Sequence, residues 1–201
     1  ICIASVLHHY RKQWMRQMLR RDNRIADASL LTNLERNASF LASTTLFVIA
    51  GIATGLASAD RIHEVLPSIP FAGDGLSEVQ VLFRLWILLM IHIYAFFTFS
   101  WSMRQYGFCA VLLGAAPSHT DDIGGALGQS YVRNMAKVID RAGHSYNHGL
   151  RAFYFSLTVL AWLLNTWLFV VAVALIVLIL YGREFHSRTL RAMRQIDVDW
   201  R

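Results

Sequence analysis

Histidine is the residue type in this chain whose positions most directly suggest chemistry. His92 is the eighth residue of the 19-residue charge-free segment between Arg84 and Arg104. A membrane helix over that segment would place His92 near its middle, where an ionisable side chain indicates a functional site. His92 could ligate a transition metal or haem, or relay protons. The alternative is a hydrogen bond to a polar side chain of a neighbouring helix.

A second pair of histidines has the spacing of metal ligands on a helix. His144 and His148 are four positions apart and would face the same side. Glu35, beside the first apolar segment, could add a carboxylate, and such a ligand set would suit iron or zinc. Gly143 and Gly149 weaken the expectation of a continuous helix. The other interpretation is a pair of surface histidines facing lipid head groups.

Arginine and small hydroxyl residues suggest a different kind of site. Arg104 ends the second apolar segment, and a ring of such arginines around a symmetric pore would select anions. Thr44 belongs to a polar stripe at the entry of the first apolar segment, and that stripe could line a pore around a symmetry axis. Snorkelling anchors and small residues at helix contacts explain the same residues equally well.

Familiar catalytic motifs are missing from the sequence. It has no G-x-S-x-G nucleophile elbow, no phosphate-binding loop, no dinucleotide fingerprint and no H-E-x-x-H pair. Whether the chain is an enzyme is therefore open from the sequence alone.

Long charge-free segments must position these residues. Residues 152–182 form a charge-free run of 31 positions, 23 uncharged residues separate Arg36 from Asp60, and the chain is 55% hydrophobic. A helix needs about 20 apolar residues to cross the hydrocarbon core. We therefore predict an all-α integral membrane protein, a single membrane domain over 1–201. Its three transmembrane helices cover residues 38–59, 85–103 and 163–182, and a fourth is expected upstream of Ile1.

The third apolar run is too long for one perpendicular span. Trp162 and Trp167 suggest a membrane interface near its middle, and Asn165 is a polar break point. One interpretation is a helix at the interface over 153–161 followed by the span. The other is one long tilted helix.

The polar segments are predicted to be amphipathic helices. Within residues 1–37, Tyr10, Trp14 and Met18 share one face of a basic helix, which is typical of a helix on a membrane surface. A second amphipathic helix over 130–141 lies within the segment 104–162, which we expect to be cytoplasmic or interfacial. Ser77 and Gln80 have the spacing of a capping box, so the second span should begin near Glu78.

Charge predicts most of the orientation. Basic residues outnumber acidic ones 7 to 3 in residues 1–37 and 5 to 3 in residues 104–151, whereas residues 60–84 have 2 and 4. The positive-inside rule therefore places residues 60–84 outside and the other two segments in the cytoplasm. The tail 183–201, with 5 and 3, would then be exported against the rule. Its side stays open, with a re-entrant 152–182 or a crossing partly hidden in 105–117 as alternatives. The formal net charge of +6 fits anionic lipid better than nucleic acid.

Several stretches resemble one family along nearly the whole chain: residues 11–37, SWSMRQYGFCAVLLGAAP at 100–117, residues 148–162 and the YGREFHSRTLRAM tail. They resemble the domain-of-unknown-function family number 599, small multi-pass membrane proteins of bacteria and plants. The resemblance implies the bacterial inner (plasma) membrane and a further hydrophobic segment at the N-terminus. It implies no activity and no catalytic residues.

Three functions remain as hypotheses. The first is a homo-oligomeric channel or transport protein with Thr44, His92 and Arg104 near the path. The second is a metal- or haem-dependent membrane enzyme that uses His92 or the His144/His148 pair, with Glu35 as a further ligand. The third is an accessory or structural subunit of a larger membrane complex. Lipid is the expected surrounding in each case, and no nucleic acid partner is expected.

Overall fold

The described part of the chain is built from helices joined by short connections. In a computed structural model, residues 3–69, 76–117 and 125–199 are described, and no β-strand occurs among them. The helices are α1 (Ile3–Arg20), α2 (Ile25–Ala57), α3 (Ala59–Val65), α4 (Glu78–Gly114), α5 (Ala126–Leu164), α6 (Thr166–Phe185) and α7 (Arg188–Asp199). A single 3₁₀ turn, Leu66–Ser68, follows α3. The predicted all-α fold is confirmed.

Three helical stretches are long and apolar enough to cross a membrane. They are Ile25–Ala57, Glu78–Gly114 and Thr166–Met193. In the most apolar part of the third stretch no residue is buried, and most of the large apolar side chains of α6 are exposed. Such a surface is stable in lipid and would aggregate in water. The protein is therefore a membrane protein, as the charge-free segments predicted.

Local sequence signals set two of the helix ends. Ser77 N–H donates to Gln80 Oε1 (3.1 Å), and Gln80 N–H donates to Ser77 Oγ (3.3 Å), which is the predicted capping box at the start of α4. Asn165 interrupts the third apolar run: its Oδ1 accepts a hydrogen bond from Trp167 N–H (2.8 Å) and caps α6. The interpretation of 152–182 as a single tilted helix is therefore wrong. Residues 105–114 continue α4 and form no separate crossing segment.

The described residues divide into two compact units. Unit 1 comprises the described parts of residues 1–39, 101–145 and 180–201, and unit 2 those of residues 40–100 and 146–179. Helices α2, α4, α5 and α6 contribute residues to both.

The core of unit 1 is formed by α1, α4 and α5. Its fully buried side chains include Met15, Met18 and Leu19 of α1, which pack with Cys109 of α4 and Ile139 of α5. Burial of each large side chain contributes about 1.5–3 kcal/mol to stability. The apolar face of α1 therefore packs against protein, and the prediction of a helix lying on a membrane surface by that face is wrong. The predicted amphipathic face of 130–141 also packs into this core.

The C-terminal helix also packs within unit 1. Tyr10 of α1 donates its hydroxyl hydrogen bond to the carbonyl oxygen of Met193 in α7, at 2.7 Å. The basic tail therefore lies beside the N-terminal helix.

The core of unit 2 is formed by α2, α4 and the second half of α5. Ala42, Ala95 and Phe99 make one buried cluster with Ala152, while Ile52, Leu88 and Val159 belong to a second. Residues 146–164 run antiparallel along the apolar part of α4: Phe153 contacts His92, and Phe83 contacts Trp162. The predicted interfacial helix over 153–161 thus packs beside a spanning helix along its length.

Candidate functional site

His92 lies inside unit 2 on α4, as its place in the charge-free segment predicted. Its side chain is buried, and its Nδ1 donates a hydrogen bond to the carbonyl oxygen of Leu88 at 2.9 Å. Phe153 of α5 meets the imidazole edge-on, with ring centroids 5.3 Å apart. The hydrogen bond selects the tautomer that carries its proton on Nδ1. His92 is therefore held by its own helix and by a neighbouring aromatic ring.

The predicted metal ligands belong to three different helices, α2, α4 and α5. His144 and His148 both lie on the unbroken helix α5, so their common face is confirmed, and both are exposed. Glu35 is half-buried on α2. Within the described part of the chain, no three or more His, Cys, Asp or Glu side chains come together to hold a metal ion. Metal binding by His92, His144 or His148 stays a prediction, without a three-ligand group to support it.

Gly149 lets α5 pack closely against α4, a role that the sequence did not predict. A Cβ at this position would lie 2.5 Å from Cε1 of the buried Phe99 ring. Glycine is required here because α5 approaches α4 closely, and the helix is continuous through both Gly143 and Gly149.

Hydroxyl groups of α2 bond within their own helix. Thr44 Oγ1 donates to the carbonyl oxygen of Phe40 (2.9 Å), Thr45 Oγ1 to that of Leu41 (2.6 Å), and Thr54 Oγ1 to that of Ala50 (3.0 Å). Thr45 is fully buried, whereas Thr54 is exposed and Thr44 is half-buried. Each hydroxyl oxygen retains acceptor capacity after this bond.

One side of α2 in unit 2 is turned away from the core. We name it the outer face of α2; its residues recur at helical spacing and are Phe40, Ser43, Thr44, Phe47, Ala50, Gly51 and Thr54. Phe47 is 79% exposed, and a Cβ at Gly51 would meet no atom within 4 Å. The outer face combines two large rings with small and hydroxyl side chains.

Two arginines that mark span ends differ in environment. Arg104 is exposed in unit 1, with its guanidinium 5.8 Å from the ring centre of Phe108. Arg84 is buried in unit 2, where it donates a hydrogen bond to the carbonyl oxygen of Trp162 and lies 4.8 Å from the centre of its ring. The Trp162 carbonyl belongs to the last turn of α5, where a cation is favoured. Arg84 is therefore a helix-capping residue that packs inside unit 2.

Two buried carboxylates of unit 1 escaped the sequence reasoning. Asp140 interacts with His8 and accepts a hydrogen bond from Arg11. Asp27 is fully buried, and its Oδ1 accepts from Trp14 Nε1 (2.7 Å) and Arg21 Nη1 (2.6 Å). Its Oδ2 has no hydrogen-bond partner within the residues that the structure describes. A sequence signal existed for Asp140, which follows the apolar residues Ala136 and Ile139 of a buried helix face.

Comparison with known proteins identifies a family and no characterised relative. The family model described as "Protein of unknown function, DUF599" matches residues 1–189. Comparisons with curated proteins and with solved structures give no match. The match covers helices α1 to α6 and ends at the start of α7, in agreement with the resemblance seen in the sequence. The chain therefore belongs to the DUF599 family of proteins of unknown function.

Proposed function

We propose that the protein is a homo-oligomeric channel or transport protein in which the outer faces of α2 meet around a symmetry axis. The observation that carries this proposal is the outer face itself, where small and hydroxyl residues lie away from the core. Small residues let neighbouring helices approach closely in lipid. Such close packing is what holds membrane helices together, because apolar surface alone does not drive their association there. Gly51 supports the proposal most directly, because its surroundings leave room for another helix.

The path in this proposal runs between copies, because the described core of unit 2 offers no polar lining. The buried clusters of unit 2 are apolar, and the buried Thr45 hydroxyl bonds to its own helix. Around an axis, Ser43, Thr44 and Thr54 would supply acceptor oxygens. Phe40 and Phe47 would form hydrophobic constrictions of the kind that gate channels by dewetting. His92, which is buried on α4 in contact with Phe153, would support α4 without lining the path.

The membrane topology is part of the proposal. Because α7 packs on α1 and residues 146–164 pack along α4, we place 146–164 as a segment that enters the membrane and α6 as the segment that returns. The basic tail then lies on the same side of the membrane as α1, which it contacts. That arrangement satisfies the positive-inside rule in a bacterial plasma membrane.

Disulfide cross-linking between copies tests the assembly. Cys2 is first replaced by serine and Cys109 by alanine. A variant of this background with Gly51→Cys should form a covalent dimer in the native membrane. Leu175→Cys, which lies on the exposed apolar surface of α6, is the matched control and should remain monomeric. Equal cross-linking at both positions, or a single copy bound to another protein, would contradict the proposal; the second result would favour the accessory-subunit hypothesis.

Flux into vesicles tests the path. Purified protein in liposomes should conduct chloride or potassium, and Thr54→Phe should block the flux of the conducted ion. If liposomes with cross-linked oligomers conducted neither ion, the protein would be an assembly without a channel. That result would overturn the transport role.

A further inference from the structure

A groove opens between α4 and α5 within unit 2. Its volume is about 820 Å³, within the range of small-molecule sites. Phe83, Trp86 and Met90 of α4 form much of its wall and are 58%, 50% and 53% exposed, while Phe155 lines it from α5. These large apolar side chains face an open groove that lipid can reach, since α4 is one of the spanning helices.

The groove has one basic end. His148 and Arg151 line it from α5, and Tyr94 lines it from α4. Gly149 lies against Phe99, and Phe153 lies against His92, so the antiparallel helices place both basic residues near the Tyr94 end. Phe83 marks the other end, about 16 Å away along α4 at the rise of an α-helix. An apolar groove with charged residues at one end is complementary to an amphiphile.

The charge at that end is positive. Arg151 carries a positive charge, and it is the last charged residue before the charge-free run 152–182. Helical side chains lean towards the N-terminus of their helix, so Arg151 and His148 lean away from the apolar length. None of the described residues that line the groove is acidic. A phosphate would therefore be attracted here, whereas the ammonium group of a zwitterionic lipid would find no carboxylate.

We propose that this groove binds one anionic glycerophospholipid per chain. Its phosphate lies at Arg151 and His148, and one acyl chain runs along α4 past Met90 towards Phe83. Arginine suits this role because its planar guanidinium can donate two hydrogen bonds to one phosphate. The site is independent of the proposed channel, because every lining residue belongs to a single chain and none lies on the outer face of α2.

Native mass spectrometry of the full chain tests the site. After delipidation in mild detergent, the protein is incubated with phosphatidylglycerol or with phosphatidylcholine of the same acyl chains. We expect one phosphatidylglycerol retained per chain with about tenfold preference, the effect of one charge-assisted interaction. Arg151→Gln should lower retention of phosphatidylglycerol to that of phosphatidylcholine, and Arg151→Lys should keep most of the preference. Arg104→Gln removes the same charge outside the groove and should change nothing.

Filling the groove separates this site from general lipid contact. Met90→Trp should reduce retention of both lipids at the site, whereas Leu175→Trp on the exposed surface of α6 should not; circular dichroism confirms that both variants are helical. Equal retention of the two lipids by the wild type, or unchanged retention in both Met90→Trp and Arg151→Gln, would overturn the proposal. Loss of a dimer in Met90→Trp would also overturn it, by showing that the groove seats a second copy.

Discussion

Arg11 and Asp140 form a hydrogen-bonded ion pair although 129 positions separate them in the chain: Nη1 of Arg11 lies 2.5 Å from Oδ1 of Asp140. His8 contacts the other carboxylate oxygen. The Asp140 side chain is only 12% exposed and that of Arg11 21%, so solvent screens the pair weakly. This carboxylate joins α1 to α5 in unit 1.

Asp140→Asn should destabilise the protein because it removes the negative charge that pairs with Arg11 and contacts His8. We expect a loss of about 1–3 kcal/mol in the free energy of unfolding, the usual value of hydrogen bonds to charged groups. Circular dichroism of the protein in detergent should show a Tm lower by several degrees. Asp60→Asn, at an exposed position, is the control and should have little effect. The same Tm for both variants would contradict the role of Asp140.

Gly149→Ala should destabilise unit 2 even though alanine favours helices. The added methyl would lie 2.5 to 2.8 Å from three carbons of the Phe99 ring, which is fully buried between Tyr146 and Phe153. Overpacking costs about 1–3 kcal/mol, against a gain in helix propensity of about 1 kcal/mol. Gly107→Ala is the matched control, because a Cβ there meets nothing within 4 Å. Stabilisation of equal size in both variants would show that α5 and α4 do not approach so closely.

Cysteine labelling should place the tail on the side of the N-terminal helix. Arg16→Cys in α1 and Arg191→Cys in α7 are exposed positions of unit 1, and Asp60→Cys is an exposed position of unit 2. A membrane-impermeant maleimide applied to intact cells should label Asp60→Cys and leave the other two unmodified until the membrane is broken. Labelling of Arg191→Cys in intact cells would show that the tail lies outside. It would contradict the proposal that residues 146–164 enter the membrane.

Tyr131 should make unit 1 sensitive to alkaline pH. Burial raises the pKa of its hydroxyl above the ordinary value, partly opposed by Arg24, and the hydroxyl donates a hydrogen bond to the carbonyl oxygen of Leu112. A raised folded-state pKa contributes stability that is complete below the unfolded pKa of about 10 and is lost as the pH rises through the folded value.

Tyr131→Phe tests that assignment by unfolding at pH 8 and at pH 10.5. The variant should be about 1 kcal/mol less stable at pH 8, because the hydrogen bond is lost, and should lose less stability than the wild type on moving to pH 10.5. Tyr181→Phe, at an exposed position, is the control. An identical pH dependence in wild type and Tyr131→Phe would exclude the buried hydroxyl as the cause.

Structural features that depend on a few neighbouring residues could be predicted from the sequence. The capping box of Ser77 and Gln80, the break at Asn165 and the apolar face of 130–141 depend on residues a few positions apart, because a helix repeats every 3.6 residues. The apolar lengths needed to cross a membrane are likewise a local property. These signals determined the helical class and the three spanning stretches.

The tertiary structure alone decided which helices meet. Asp140 pairs with residues 129 and 132 positions away, α7 returns to α1, and Arg151 lies on the same groove as Phe83. Side-chain periodicity says which face of a helix is apolar, but not which other face covers it. In a membrane protein that ambiguity is greater, because lipid and protein cover apolar side chains almost equally well. The sequence determined the helical class and the stretches that can span a membrane, whereas the contacts between distant helices decided which residues lie together at each site.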